Sequence, residues 1–197
     1  MKTSFILCVS FSLLVPLGTT LACAQARPID SSVSKMVVHV AKAGMFSAFG
    51  DNHEIEAPVS QGSVDEAARR VTLVVDARRM KVLDPQLSAD KRQQVQERML
   101  GPDVLDVAHF SVISFDSTSV EQRSPGQLLV EGQLKLHGQT HPVSVSVRSE
   151  NGHYVGSCKL KQRDFGITPV SVAGGTVKVK DELTIEFDIQ TSATALQ

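Results

Sequence analysis

The chain has 197 residues, 20 basic against 21 acidic, for a formal net charge of −1. That length fits one domain plus a leader. A chain so close to neutral carries no electrostatic footprint for nucleic acid.

Residues 1–26, MKTSFILCVSFSLLVPLGTTLACAQA, read as a secretory signal peptide. Lys2 gives the positive start, Phe5 to Leu17 an apolar run broken by Pro16. Ala22-Cys23-Ala24 and Ala24-Gln25-Ala26 both offer small residues to signal peptidase. The run is short for a membrane anchor, and no other stretch is apolar enough to span a bilayer. A lipoprotein reading ranks second, because Thr20 stands where a lipobox wants an aliphatic residue. Removing the leader takes Lys2 with it and moves the net charge from −1 to −2. Cys8 and Cys23 lie in the leader, so Cys158 is left without an intrachain partner. An exported domain over residues 27–197 must then be held by its core and not by a disulfide.

Period-two alternation dominates the chain beyond the leader. VSKMVVHV, Val33 to Val40, forms a first strand. HEIEAPV sets Ile55, Ala57 and Val59 against Glu54 and Glu56, with Pro58 suited to a strand end or edge. Val71, Leu73 and Val75 share one face of the next strand. Composition then turns helical over DPQLSADKRQQVQERMLGPDVLDV, Asp84 to Val107. Asp84-Pro85 or Ser88 starts this segment and Gly101-Pro102 stops it. Val95, Met99 and Leu100 are expected to face the strands, and Lys91, Arg92, Gln96 and Glu97 to face water.

Strands resume with FSVISFDST, Phe110 to Thr118. Leu128, Val130, Gly132, Leu134 and Leu136 share a face, as do Val143, Val145 and Val147. Tyr154, Cys158 and Leu160 obey the same rule. The clearest case is TVKVKDELTIEFDIQ, where Val177, Val179, Leu183, Ile185, Phe187 and Ile189 oppose Lys178, Lys180, Glu182, Glu186 and Asp188. About eight such strands must hide their apolar faces, either by closing into a barrel or by stacking as a sandwich. Composition does not choose between the two.

Two polar clusters invite a chemical reading. His137 and His141 flank a Gly-Gln-Thr turn and could stand opposite each other as half a metal site. Zinc needs at least a third ligand, and no H-E-x-x-H or nearby Cys supplies it. Turn chemistry at Gly138 explains the residues by itself. Asp51, His53 and Glu54 could bind a cation or form an acid–base set, but Asp51 and Asn52 are also ordinary turn residues. No Ser-His-Asp order, nucleophile elbow or phosphate loop occurs. Cys158, on an inward parity, reads as an inert thiol. No catalytic residue and no metal ligand is assigned.

GQLKLHGQTHPVSVSV, then KLKQRDFGITPV, then GGTVKVKDELTIEFDI resembles the YceI-like family of exported bacterial lipid-binding proteins. The match runs through Leu136, His137, Gly138, Thr140, Pro142 and Val143. It continues at Asp164, Phe165, Gly166, Asp181, Glu182 and Ile185, and VLDVAHFSVISF, Val104 to Phe115, is similar to the family's helix-to-strand passage. AGMFSAFGDNHEIEAP departs from the family's usual first hairpin.

The resemblance implies an all-β fold: an eight-stranded antiparallel lipocalin-like barrel with an inserted helical segment near residues 85–107. It also implies a polyisoprenoid, isoprenoid quinone or similar long-chain amphiphile held in an internal channel, in the periplasm or outside the cell. A basic residue commonly stands at the position of His141 in the family, which a metal ligand would not tolerate. The function expected is that of carrier or reservoir, with no cofactor beyond the bound lipid. The alternatives are an interaction module for a membrane redox system, and a metal-dependent hydrolase built on His53, Glu54 and the His137/His141 pair. Contact with a membrane or membrane protein and a homodimer stay open; nucleic acid does not.

The ligand-contacting residues expected from inward parity are Phe110, Phe115, Leu134, Leu136, Tyr154, Leu160 and Phe187. Met80 and Leu100 are expected at the rim, where the helical segment either gates the channel or only covers the barrel. Phe165 is expected beside the channel at a turn that Gly166 permits, and Phe46 in the divergent first hairpin.

Overall fold

The computed structural model describes residues 26–43, 52–172 and 177–192. The leader through Gln25 and Phe46 lie outside the described residues. In chain order the strands are β1 (Arg27–Pro28), β2 (Lys35–Ala43), β3 (His53–Glu56), β4 (Val59–Asp65), β5 (Arg70–Asp76) and β6 (Lys81–Val82). Helix α1 (Ala89–Leu100) comes next, then β7 (Val112–Ser124), β8 (Gln127–Leu136), β9 (Gln139–Glu150), β10 (His153–Lys161), β11 (Ser171–Val172) and β12 (Val177–Gln190).

These strands compose eight passes of the chain, three of them kinked. β1 and β2 are one pass bent at residues 31–33, and β3 and β4 are one pass bent at Ala57-Pro58. β5 and β6 are a third, interrupted by a 3-10 turn at Ala77–Arg79. Each pass is antiparallel to the next. The first meets the second through β1–β4 and β2–β3, and the second meets the third through β4–β5 and β3–β6. β5–β7, β7–β8, β8–β9, β9–β10 and β10–β12 continue the order. β12 then returns to β2, and Ile29 bridges Thr191 beyond the end of that pair. The sheet therefore closes on itself as an up-and-down barrel. That choice between barrel and sandwich needed long-range pairing, which alternation alone does not encode.

A short segment extends the seam beyond the β2–β12 pair. Ile29 N–H donates to Gly62 O at 2.9 Å on one side, and Asp30 N–H donates to Gln190 O at 2.8 Å on the other. Pro58 falls at the kink of the second pass, where its missing N–H is harmless. Two hairpins close in two residues with both φ angles positive: His137-Gly138 at 49° and 74°, and Asn151-Gly152 at 51° and 82°. This is the turn whose twist matches that of paired strands.

The helical segment is shorter than its composition suggests. Ser88 caps α1, its Oγ accepting from Lys91 N–H, and the helix ends at Gly101. Residues 101–107 are turns and bends. Gln96, expected to face water, instead faces the barrel. Its Oε1 accepts from Val82 N–H at 2.7 Å and its Nε2 donates to Met80 O at 2.9 Å. These are backbone groups of β6 and of Met80 just before it that the sheet leaves unpaired, and a buried backbone group requires a partner. Arg92 likewise donates to Leu83 O.

Two inward-facing glycines shape the interior. A Cβ on Gly132 would stand 2.5 Å from the Phe115 ring and 2.6 Å from Asp116 O, and one on Gly156 would stand 2.8 Å from the Phe187 ring and 2.4 Å from Ser146 O. Each phenyl thus lies against the wall over a neighbouring glycine instead of projecting across the lumen. Gly132→Ala and Gly156→Ala are each expected to cost about 1–3 kcal/mol by overpacking. Thermal unfolding should show Tm falling by roughly 2–4 °C per kcal/mol; an unchanged Tm would mean that neither the rings nor the neighbouring strand approach these glycines so closely.

Candidate functional site

The inward faces enclose a cavity of about 620 Å³. That size lies in the range of ligand pockets, roughly 300–1,000 Å³. Two apolar clusters line it end to end. One centres on Met80, Met99, Leu105, Leu136 and Leu160, the other on Val64, Val130, Val147, Tyr154 and Ile189.

The ends differ. At one, Met99 from α1, Leu105 from the turn after it and Ile167 line the cavity, and all three are buried. α1 is fastened below them by the Gln96 and Arg92 bonds and by Asp84. The Asp84 carboxylate is fully buried; Oδ2 accepts from His53 Nδ1 at 2.6 Å and Oδ1 accepts from Glu54 N–H at 2.8 Å. His53 is thus committed to tying the α1 approach to β3, and Glu54 contributes a backbone group to the same clasp. Asp51 lies outside the described residues.

At the other end the lining reaches polar residues, most of them exposed. Asp65, Glu66, Arg69 and Arg70 come from the β4–β5 hairpin, Gln122 from β7 and Ser149 from β9. Tyr154 lies just inside, 7% exposed, with its hydroxyl donating to Glu66 and accepting from Arg27 Nη2 at 2.8 Å. Arg27 also pairs with Glu66. Burial, then the bond to Glu66, pushes the Tyr154 phenol up to about 12. Burial pushes the Cys158 thiol, on the cavity wall, up to about 11, so it stays protonated at neutral pH.

Most of the expected contact residues meet in one place. Phe115, Leu134, Leu136, Tyr154, Leu160 and Phe187 line the cavity, and so does Met80. Phe110 does not. It precedes β7 on the parity of the exposed Val112, opposite to Ile113 and Phe115. Its ring packs edge-on to His137 with centroids 4.7 Å apart. Leu100 packs on the core from α1, but Met99 is the side chain that reaches the lumen. Phe165 is 1% exposed and sits beside the cavity, not on its wall. Gly166 comes after it at φ 73°.

Alternation missed Val120 and Gln122, which line the cavity on the opposite parity from Phe115. The β7–β8 register shifts between Ser117 and Ser119, and such a bulge turns the strand over. Nothing in the local composition marks that shift.

The two histidines of the β8–β9 hairpin clasp the Phe165 turn. His137 Nδ1–H donates to Phe165 O at 3.1 Å, and His141 meets the Phe165 ring edge-on at 5.2 Å. Among the described residues no group of three or more His, Cys, Asp or Glu is placed to hold a metal.

A profile of the YceI-like domain matches residues 27–191. The chain belongs to the YceI-like family. A UPF0312 protein of Vibrio cholerae is 26% identical over 188 residues, covering 84% of this chain and 93% of its own length. One from Vibrio parahaemolyticus is 25% identical over 201 residues, covering 94% and 97%. Among solved structures, BcnA of Burkholderia cenocepacia superposes with a TM-score of 0.65 at 19% identity, over 84% of this chain and 99% of that one. That last likeness concerns the fold.

Tyr154 is the one tyrosine of the chain, which has no tryptophan, so its ionisation is directly visible in the near ultraviolet. Its absorbance should titrate near pH 12, against about 10 for a free phenol. Because the folded value is raised, this group's contribution to stability is complete below pH about 10 and is lost as pH rises toward 12. A midpoint near 10 in the folded protein would remove the Glu66 contact.

Proposed function

We propose that this protein is an exported carrier or reservoir that holds a polyisoprenoid, isoprenoid quinone or similar long-chain amphiphile inside its barrel. The observation that carries the reading is the cavity: about 620 Å³, walled mostly by hydrocarbon along its length, with Ser114 and the buried Gln162 as polar interruptions and the charged groups gathered at one end. An apolar tail gains about 0.8 kcal/mol per buried CH₂, enough to outweigh the cost of ordering a flexible chain. The wall has the chemistry of binding and not of turnover. Its one thiol is held protonated, and the His53–Asp84 pair fastens α1 outside the lumen. The leader pattern from Lys2 to Ala26 supports export.

The anchoring of α1 favours a fixed cover over a gate, which directs uptake to the polar end. Organic extraction of the purified protein, then mass spectrometry, tests the function. A long-chain apolar molecule should appear at close to one equivalent, and stripped protein should take it up again. Protein that comes out empty and stays empty in the presence of isoprenoids and long-chain lipids would contradict the carrier reading.

A further inference from the structure

The polar end of the cavity has an uneven charge arrangement. Four charged side chains of the β4–β5 hairpin line it. Three have partners. Asp65 Oδ1 accepts from Ala68 N–H at 2.7 Å and so closes the turn. Glu66 is engaged by Arg27 and by the Tyr154 hydroxyl. Arg70 reaches Asp116 on β7 at 4.0 Å. Among the described residues Arg69 has no hydrogen-bond or ion-pair partner. It is the last residue of the turn, at φ 52°, a conformation uncommon for a side-chain-bearing residue.

The neighbouring network is asymmetric in the same sense. The Tyr154 proton is spent on Glu66, so the hydroxyl offers no further hydrogen to a ligand. The Glu66 carboxylate accepts from both Tyr154 and Arg27, which offsets its charge locally. The donors that remain available at the rim are cationic: a guanidinium with all its donors free, next to a second whose ion pair is long, while the Asp65 carboxylate is engaged at the Ala68 N–H. A guanidinium engages an oxyanion through two parallel bonds more strongly than it engages a neutral oxygen.

We infer that Arg69 forms the head-group subsite of the cavity and selects single-tailed amphiphiles that end in an oxyanion, a carboxylate or a phosphate, over neutral or cationic ones. This rests on the tail occupying the lumen as proposed above. The tail supplies affinity, and Arg69 supplies discrimination and orientation, with the head held at the rim and the tail end directed toward Met99.

The test is displacement of the neutral fluorophore N-phenyl-1-naphthylamine from the protein at pH 8 by oleate, oleyl alcohol and oleylamine, which share one tail. Oleate should bind about tenfold more tightly than the alcohol, and the amine most weakly. The margin should shrink with added salt, because the site is exposed. Arg69→Gln should bring oleate down to the affinity of the alcohol while leaving the alcohol unchanged. Arg69→Gly, which suits the positive φ, should do the same. Arg163→Gln, an exposed arginine at the Phe165 turn, should keep the full preference. Dodecyl phosphate against dodecanol separates the two oxyanion sources, and a preference for either anion supports the subsite. Equal binding of oleate and oleyl alcohol, preference for the amine, or a preference that survives both Arg69 variants would overturn the subsite and leave the tail-binding reading intact. Failure of every compound, and of the fluorophore itself, to bind would overturn both.

Discussion

The closing of one antiparallel sheet on itself governs the rest of this molecule. Each pass carries an apolar face that must leave water, and among the described residues no second sheet covers it. The sheet hides that face by curling until its first pass meets its last. The closing pair is β12 with β2, registered from Lys178 opposite Ala43 to Asp188 opposite Lys35, and Ile29 and Asp30 extend it by bonding to β4 on one side and to the end of β12 on the other. Where the pairing lapses, other groups fill in: Gln96 takes the groups beside β6, and the Phe165 turn packs where β9 and β10 part beyond Ser146 and Ser157.

Closure explains why the interior is a cavity and not a solid core. Eight strands make a barrel just wide enough for side chains to fill or for one small ligand to enter. The outcome turns on side-chain size. Here valine, leucine and isoleucine dominate the wall, and the two phenyls that could cross the lumen are laid flat over Gly132 and Gly156. The two ends then diverge in chemistry. One is covered by Met99 and Leu105 and fastened through Asp84, Gln96 and Arg92 to backbone groups. The other is ringed by charge, with Tyr154 marking the border between hydrocarbon and water. An elongated hydrocarbon pocket with one wet end suits a molecule with the same two halves.

Much of this was legible in the sequence because a half-buried strand writes its orientation in every second residue. Val71-Leu73-Val75, Val143-Val145-Val147 and Leu183 to Ile189 all face inward as their alternation requires. The illegible parts involve breaks in that period. HEIEAPV reads as one strand but bends at Pro58, and VSQGSVD beyond it, with its two valines five residues apart and therefore of opposite parity, carries too weak a pattern to announce β4. Phe110 reads as part of a strand that in fact begins two residues later, and it falls on that strand's outward parity with Val112. The bulge at Ser117 and Ser119 reverses β7 without a glycine or proline to mark it. Gln96 reads as a surface residue because its partners, Met80 O and Val82 N–H, become unpaired only once the barrel forms. The polar rim escapes notice for a related reason: Arg27, Glu66 and Tyr154 are scattered in sequence and meet only once the barrel closes.

The central claim is that a ligand tail lies inside the barrel and not on its surface. Filling the lumen from within tests this most directly. Cys158 lies on the cavity wall, midway along β10, so Cys158→Trp places an indole in the tail's path. The measurement is the stoichiometry of N-phenyl-1-naphthylamine uptake by this variant and by the unaltered protein, with cooperative thermal unfolding confirming that both are folded. The account predicts about one equivalent for the unaltered protein and a loss of most uptake in the folded variant. Equal uptake by the two folded proteins would place the tail elsewhere and contradict it.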